Sequence, residues 1–450
     1  MRNRFSFVAG WAVLLHALGI AAPLTAQEGD LPAQPPPIPR AFIGAKIIPI
    51  GAPEIENGTL LIRGDRIIAV GPVDQVRIPD DAWQVDVRGK VIMPGLVDTH
   101  SHIGGGWGGD SSSPIQPDVR ILDSINVRDS GFRKAQAGGL TTLNVMPGSG
   151  HLLSGQTIYM KNKRGRTIED VVIRDPAGNI LGGIKMANGT NSHREPPFPA
   201  TRAKSAALVR QKFVKAQEYR RKLEKGREDP EKMPERDLEM EALVEVLERR
   251  WVVHHHTHRN DDIVTVLRLA KEFGFKVVLH HVSEGWKVAE EIAAADVPCS
   301  IILVDSPGGK IEAMNLIMET GGVLERAGVL TAFHTDDPIT DSRLFLRMAA
   351  LGVRAGMSRE KALEALTIAG AKMLDLDHRI GSLEPRKDAD FIILTGDPLS
   401  VYTRVQQTWI DGELVFDLDN PDDRLFAVGG YGAGKDQAMH LCCFGPQGHD

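Results

Sequence analysis

Short apolar runs alternate with helical patterns through the middle of this 450-residue chain, from Gly95 to about Leu374. The runs are LTTLNVM, ILGGIKM, WVVHHH, FKVVLHH, CSIILVD and VLTAFHTDD. Strands that alternate with helices form parallel sheets, because a parallel connection has to cross back over the sheet. The pattern therefore predicts an α/β fold, and its extent of about 280 residues suits a TIM (β/α)8 barrel.

Short β-rich segments flank this region on both sides. Before it lie AKIIPI, TLLIRGDRIIAV and KVIM, and after it lie ADFIIL and VQQTWIDGELVF. Turn-forming Gly, Asn and Asp residues separate the runs, as they do in small antiparallel units. We therefore predict one small β-sandwich, built from residues 41–93 and 376–420, which a barrel over residues 94–375 interrupts in sequence.

Two further stretches stand apart from these patterns. Residues 201–250 are charge-rich and helical with a break at Asp229-Pro230, and since charge runs usually mark an exposed face, we expect a solvated insertion. Residues 421–450 form a Gly-rich tail, which we expect to be loosely ordered.

The N-terminal sequence has the pattern of a secretory signal peptide over residues 1–26. MRNR is positively charged, an apolar stretch follows, and Ala26 supplies a small residue before Gln27. A Pro-rich linker, residues 27–40, comes next. The pattern predicts an exported protein, periplasmic or secreted. We expect no membrane insertion after signal removal, because no later run approaches ~18 apolar residues.

Charge and cysteine content exclude several classes of function. Lys and Arg number 53 and Asp and Glu 59, for a net charge of −6, so the basic balance typical of nucleic-acid binding is missing. The three cysteines, Cys299, Cys442 and Cys443, are too few for a disulfide scaffold. For Cys442 and Cys443 in the tail, the sequence allows two roles: an intermolecular disulfide, or a second metal site with His440 and His449.

The 15 histidines concentrate at the ends of predicted strands. PGLVDTHSH places His100 and His102 two residues apart at the end of an apolar run. Residues i and i+2 of a strand point to the same face, and barrel active sites lie at the carboxyl ends of the strands. Two imidazoles so placed can bind one metal ion, so we predict a metal site here.

Two later strands carry neighbouring histidines, and the pattern alone does not choose among them. In WVVHHHTHR, alternation puts His254, His256 and His258 on one side of the strand. His256 is expected at the rim, and His258 lies one step beyond it, as a substrate contact or an alternative ligand. In FKVVLHHV, His280 and His281 must face opposite ways if the strand continues, so only one of them can point inward.

Other polar residues near strand ends complete the candidate site. Lys185, in the run ILGGIKM, lies at the end of another predicted strand, and beside a metal a neutral lysine can react with carbon dioxide to give a carbamate that bridges two ions. Asp336 could bind a metal through one oxygen and accept a proton with the other. Trp107, in the Gly-rich loop after the first histidine pair, is either a substrate contact or part of a surface loop. Arg194 would suit a substrate carboxylate.

These motifs resemble those of the amidohydrolase superfamily of metal-dependent hydrolases, over roughly residues 41–415. PGLVDTHSH is similar to the family's first-strand signature, AFHTDDP to its eighth-strand aspartate motif and GSLEPRKDADFIIL to its closing sandwich segment. Within the superfamily the chain most resembles the imidazolonepropionase-like branch, which includes relatives that act on acylated amino acids and dipeptides.

The resemblance implies the barrel with its small β-sandwich, and also a ligand set. The implied metal ligands are His100, His102, Lys185, His256, His281 and Asp336. The metal site of imidazolonepropionase itself is similar to a one-metal arrangement. A carboxylated lysine on the fourth strand instead resembles the sites of the two-metal members. The resemblance therefore implies one or two divalent ions, with Zn²⁺ as the expected metal.

The function that follows is metal-dependent hydrolysis of a carbon–nitrogen bond in an amide, cyclic amide or dipeptide-like small molecule. A bound divalent ion lowers the pKa of its water toward ~7, and the hydroxide attacks the carbonyl carbon while Asp336 shuttles the proton. A deaminase of the same superfamily is the alternative. A non-catalytic exported scaffold is a third reading, against which the intact ligand set argues. A homo-oligomer is compatible with all three.

Overall fold

The computed structural model describes residues 37–106, 109–303 and 310–429. The predicted signal peptide, most of the predicted linker, Trp107 and the Cys442–Cys443 pair lie outside these residues. The described strands are β1 (Arg40–Ile47), β2 (Ile55–Arg63), β3 (Arg66–Pro72), β4 (Trp83–Asp86), β5 (Val91–Pro94), β6 (Leu96–Ser101), β7 (Leu140–Val145), β8 (Leu153–Gln156), β9 (Ile158–Lys161), β10 (Gly183–Ala187), β11 (Val252–Thr257), β12 (Val277–His281), β13 (Cys299–Ile301), β14 (Thr331–Phe333), β15 (Phe391–Leu394), β16 (Val405–Ile410) and β17 (Glu413–Asp417). The described helices are α1 (Ser130–Ala137), α2 (Arg202–Glu228), α3 (Leu238–Leu247), α4 (Asn260–Phe273), α5 (Ala289–Ala294), α6 (Thr320–Arg326), α7 (Phe345–Arg354), α8 (Arg359–Ala365), α9 (Ile368–Met373) and α10 (Pro421–Val428). Within the described ranges, no helix has the length and apolar character needed to cross a membrane.

Strands from the two flanks of the chain form one eight-stranded mixed sheet. Its order is β17-β16-β15-β5-β1-β2-β3, and β4 pairs with β1. β5 from the N-terminal flank is antiparallel to β15 from the C-terminal flank, with Ile92 opposite Ile393. Phe42, Phe391 and Trp409 are buried on this sheet, with ring centroids between 5.0 and 5.6 Å apart. Backbone hydrogen bonds and an aromatic cluster therefore join the two flanks.

Two further sheets carry the strand ends on which the histidines lie. β10 to β14 are parallel neighbours with β8 antiparallel at their edge, and β6, β7 and β9 form a separate three-stranded sheet. The backbone N–H of Asp336 donates to the carbonyl of His100 at 2.9 Å, so the end of β14 lies beside the end of β6. The fold is therefore mixed α/β, and in the described part of the chain the hydrogen-bonded ladders do not close into one continuous barrel.

Helix α4 shows how the sequence builds the helical layer outside these strands. Its buried apolar residues recur every three to four positions, as the sequence pattern predicts. The helix ends at Gly274, whose φ of 78° is the left-handed conformation that glycine adopts readily. At its other end Arg259 is the N-cap residue, and the Glu284 carboxylate accepts from the backbone N–H of Asn260 at 3.0 Å.

The insertion at residues 201–250 folds as α2 and α3, which separate at Asp229-Pro230 as predicted. The expectation that this stretch is only a solvated helix is wrong for one face of α2. Phe213 is fully buried, and its ring stacks on Phe273 and Phe275 with centroids 5.1 Å away in each case. One face of α2 therefore belongs to the core, and the charged residues occupy the other.

The beginning of the predicted loose tail is ordered as α10. Asp423 on this helix is buried and accepts from the guanidinium of Arg133 at 2.6 Å, and the same guanidinium lies 4.0 Å from the ring centroid of Phe426. The predicted disorder is therefore wrong for residues 421–428, because an ion pair and an aromatic contact fix them to α1. Residues 430–450 lie outside the described ranges.

Candidate metal centre

His100 and His102 project from the end of β6 towards each other. Their Nε2 atoms are 3.2 Å apart, and both side chains are buried. His102 Nδ1 lies 2.8 Å from the carbonyl oxygen of Met146, to which it donates. That bond orients the ring and presents Nε2 as a lone-pair ligand, which is how metal-binding histidines are usually held.

Asp336 completes this group from the turn that follows β14. Its Oδ1 lies 3.2 Å from His100 Nε2 and 3.0 Å from His102 Nε2. Burial alone would raise the pKa of this carboxyl, but the neighbouring His102, with smaller contributions from other groups, holds the pKa below its ordinary value. Asp336 is therefore an ionised carboxylate pointing at two imidazole nitrogens.

Lys185 reaches the same point from β10. Its Nζ lies 3.0 Å from His100 Nε2 and 3.1 Å from the sulfur of Met146, and the side chain is fully buried. Burial lowers the pKa of this amine to about 7, with Asp336 opposing the shift. A large share of Lys185 is therefore neutral at neutral pH, which is the form that reacts with carbon dioxide.

His256, His258 and His281 form a second group beside the first. The ring of His256 lies 4.3 Å from that of His281 and 4.6 Å from that of His258, and His281 Nε2 lies 4.0 Å from Asp336 Oδ2. Both ring nitrogens of His256, and Nε2 of His258 and His281, are buried without a hydrogen-bond partner in the described ranges. Burial also lowers the pKa of these three rings, to about 3 for His258, so they are neutral and available as ligands.

The two histidines that end β12 do not alternate as expected. His280 and His281 both lie against His100, with ring centroids at 4.9 and 5.0 Å. The expectation that only one could point inward fails because the strand stops there. His281 has a φ of 71° and Val282 of 51°, so the backbone leaves the extended conformation at this residue.

A layer of polar side chains lies beneath the two groups, and most of its members were not anticipated. His254 Nε2 lies 3.0 Å from the hydroxyl of Tyr159, and its Nδ1 lies 3.1 Å from His280 Nε2. His334 Nδ1 lies 2.8 Å from the hydroxyl of Ser300. These hydrogen bonds hold rings that the strand pattern alone places near the centre. No local sequence signal marks Tyr159 or Ser300, because their partners are distant in sequence.

Three groups of His and carboxylate side chains in the described residues are close enough to hold an ion, with ligand atoms within 4.8 Å of one another. Two of them share His100, one with His102 and Asp336 and the other with His280 and His334. The third consists of Asp388, Asp390 and Asp411, but the ammonium of Lys161 lies 2.7, 2.5 and 3.2 Å from their oxygens. Together with Arg379 on Asp388 and Lys163 on Asp411, that ammonium pairs the carboxylates of the third group, so the histidine centre is the candidate metal site.

Arg194 was proposed from the sequence as a substrate contact, whereas Lys310 was not. Arg194, proposed for substrate binding, has its guanidinium 4.5 Å from the ring centroid of Phe198 and donates to the carbonyl of Gly150 at 2.7 Å. Lys310, which sequence reasoning missed, interacts electrostatically with His256 and Asp336. It lies outside any strand end, so the pattern that found the histidines could not find it.

Comparison with known proteins gives matches over most of the chain. The profile of the Amidohydrolase family matches residues 283–416. A crystal structure of an amidohydrolase from Thermotoga maritima MSB8 is 34% identical, covers 84% of this chain and 100% of that chain, and has a TM-score of 0.78.

Three further relatives match at lower identity. Amidohydrolase tasK of Hapsidospora irregularis is 28% identical over 79% of this chain, which spans only 40% of that protein. The 5-methylthioadenosine/S-adenosylhomocysteine deaminase of Symbiobacterium thermophilum is 23% identical, over 79% of this chain and 84% of its own length. The imidazolonepropionase of Fusobacterium nucleatum is 22% identical, over 80% of this chain and 92% of its own length.

Proposed function

This chain belongs to the amidohydrolase superfamily, in its imidazolonepropionase-like branch, and is a hydrolase of carbon–nitrogen bonds, so we propose that it cleaves an amide, cyclic amide or dipeptide-like bond at a metal centre. The proposed centre is built on β6, β10, β11, β12 and the end of β14. The observation that carries the proposal is the convergence of His100, His102 and Asp336, whose ligand atoms lie within 3.2 Å of each other. Ring nitrogens, a carboxylate oxygen and buried lone pairs without donors fit a divalent ion.

The donor set assigns a place for each ligand. His100, His102 and Asp336 would hold one ion, and His256 and His281 would contribute to a second. Nitrogen and oxygen donors of this kind suit zinc, which we propose as the metal. A divalent ion bound there would acidify a water molecule and polarise the carbonyl of the substrate.

Lys185 would connect the two positions after reacting with carbon dioxide. Its neutral amine nitrogen bonds to the carbon of carbon dioxide, and one N–H proton is released to solvent. The product is a carbamate with two oxygen ligands where the free amine offers one nitrogen. The burial of Lys185 supports this step, because burial favours the neutral amine.

The two oxygens of Asp336 have different surroundings, which supports a division of labour between them. Oδ1 lies against both first-strand imidazoles, while Oδ2 is 4.0 Å from His281 Nε2. We assign proton transfer to Oδ2. It accepts the proton of the attacking water and delivers it to the leaving nitrogen, and general acid–base catalysis of this kind contributes typically ~10²–10⁴-fold to a rate.

Several finer assignments belong to the same proposal. His258, beside His256, is proposed to contact the substrate, as are Arg194 and Trp107. The α/β region over residues 94–375 is proposed to be a (β/α)8 barrel, joined to a β-sandwich formed by residues 41–93 and 376–420. We also propose export after removal of residues 1–26. N-terminal sequencing of the mature protein should begin near Gln27, and a mature protein beginning at Met1 would contradict export.

Deamination is the second candidate, because the Symbiobacterium relative carries a deaminase name. The two reactions release different nitrogen compounds, so one assay separates them. The metal-replete enzyme is incubated with N-acetyl amino acids, dipeptides and cyclic amides, and in parallel with amino-purine nucleosides. We expect amine release or ring opening in the first set and no ammonia from the second. Ammonia release from the nucleosides alone would overturn the amide assignment.

A further inference from the structure

A cavity of about 440 Å³ lies on the outer side of β10 and β11, between these strands and helices α2 and α4. His255 lines it, whereas the neighbouring His254 and His256 contact the histidine centre. Successive side chains of a strand point to opposite faces, so this cavity and the metal centre lie on opposite sides of β11. The cavity is therefore distinct from the proposed catalytic site.

Two polar side chains in the cavity present acceptors that no described group satisfies. His255 is 3% exposed, and its Nδ1 donates to the carbonyl of His256 at 3.0 Å, which leaves Nε2 as a lone-pair acceptor without a protein partner in the described ranges. Asn188 donates through Nδ2 to the carbonyl of Asp262 at 3.1 Å, and its Oδ1 is buried without a partner there. A ligand that satisfies these atoms has to bring hydrogen-bond donors.

The charged residues of the cavity are unevenly paired. Arg202 Nε donates to Oδ2 of the buried Asp262 at 2.9 Å, while Oδ1 of Asp262 has no protein hydrogen bond in the described ranges. Arg210 is paired with Glu272 at 2.8 Å. Arg268, which is exposed at the cavity's edge to solvent, donates to the hydroxyl of Thr265 at 2.9 Å and has no carboxylate within ion-pair distance among the described residues. One carboxylate oxygen and one guanidinium therefore remain for a ligand.

Both charged residues line the same cavity. Arg268 lies six residues after Asp262 on α4, and its bond to Thr265 draws the guanidinium back towards the beginning of the helix. Val209 and Leu269 add apolar side chains to the lining. The arrangement provides acceptors for an ammonium group, a guanidinium for a carboxylate and an apolar surface for an aliphatic chain.

We propose that this cavity binds a free α-amino acid with an aliphatic side chain. The ammonium group is held by Asp262, His255 and Asn188, and the carboxylate by Arg268. The proposal does not depend on the reaction at the metal centre, since none of these side chains is a proposed ligand or proton carrier there.

Isothermal titration calorimetry of the metal-replete protein with L-leucine tests the proposal. We expect saturable binding with one molecule per chain, and weaker binding of 4-methylpentanoate and of 3-methylbutylamine, each of which lacks one charged group. Arg268→Gln should weaken leucine binding at least about tenfold, since it removes a charge-assisted hydrogen bond. Arg221→Gln, an exposed arginine on the same α2 helix that carries the cavity wall, should leave it unchanged.

A second variant distinguishes leucine binding in the cavity from leucine binding at the metal centre. Ala206 lines the cavity, and Ala206→Trp should fill it and abolish leucine binding while amide hydrolysis persists. No binding to the wild-type protein would overturn the proposal, as would an affinity unchanged by Arg268→Gln. Neither result would affect the assignment of the metal centre, which hydrolysis and metal content test separately.

Discussion

Lys185 Nζ and His100 Nε2 lie 3.0 Å apart, each fully buried. Burial lowers the pKa of both groups, well below the ordinary value for His100, and the charge of Lys185 lowers the pKa of His100 further. Two bases held this close in the interior favour the form in which neither is protonated. His100 and Lys185 are thus two electron-pair donors beside Asp336. A bound cation would stabilise this arrangement, and so would carboxylation of the lysine.

Replacing Lys185 tests whether it links two ions. Lys185→Ala should lower the metal content from two ions per chain to one or fewer, and should lower kcat/KM at least ~100-fold, since loss of even an outer partner of a metal site costs ~10–100-fold. Metal content is measured by plasma mass spectrometry alongside the rate. Added acetate should restore part of the activity, because it can occupy the space and supply carboxylate oxygens.

Lys163→Ala is the matched control for that substitution. Lys163 pairs with Asp411 at 2.9 Å, away from the histidines, so its loss should leave metal content and rate unchanged. A Lys185→Ala protein that keeps full metal content and full activity would contradict the bridging role.

Asp336→Asn separates metal binding from proton transfer. The amide keeps one oxygen ligand but cannot carry a proton, so we expect the metal to remain and kcat to fall ~10²–10⁴-fold. Initial rates and metal content are measured on the same preparation, with the exposed Asp123→Asn as control. Near-full activity of Asp336→Asn would remove Asp336 from the proton-transfer role.

The strand-end histidines could be located from the sequence because a strand has a fixed period of two. That period places His100 and His102 on one face, and it also separates His255 from its neighbours in β11. The period says nothing about where a strand stops. For this reason the left-handed turn at His281, which brings it beside His280 around His100, could not be foreseen.

Two substitutions, one at the end of β12 and one on the outer side of β11, test which histidines bind the metal. His281→Asn should weaken metal binding at least about tenfold, because His281 lies among the rings of the centre. His255→Asn should leave metal affinity unchanged, because His255 faces the outer cavity. Competition with a chromophoric chelator measures both affinities. Equal losses in the two variants would contradict the assignment.

Lys161 and the three carboxylates around it, Asp388, Asp390 and Asp411, should contribute to stability rather than to catalysis. Lys161 is 4% exposed and compensates Asp388 and Asp390, which are also buried. Removing one partner of a buried ion pair costs about 3–5 kcal/mol, so Lys161→Met should lower the free energy of unfolding by that amount in urea titrations. The half-buried Lys163→Met should cost about 0–1 kcal/mol. Loss of activity in folded Lys161→Met protein without loss of stability would show a different role.

Long-range contacts account for most of what the sequence could not predict. Charge content suggested that α2 is solvated, yet Phe213 is buried against Phe273 and Phe275, which lie about sixty residues further along the chain. Tyr159 and Ser300 orient histidines of distant strands in the same way. Local patterns specify which face of an element is apolar or which residues share a strand face, but the partner across the gap depends on the whole fold.

Metal stoichiometry of the purified protein tests the central claim most directly. We predict at least one, and with carboxylated Lys185 two, tightly bound divalent ions per chain, detected by plasma mass spectrometry after extensive dialysis. The double variant His100→Ala/His102→Ala should contain none at that position while its circular dichroism spectrum stays that of the wild type. A wild-type protein that retains no stoichiometric divalent ion after reconstitution with zinc would contradict the account.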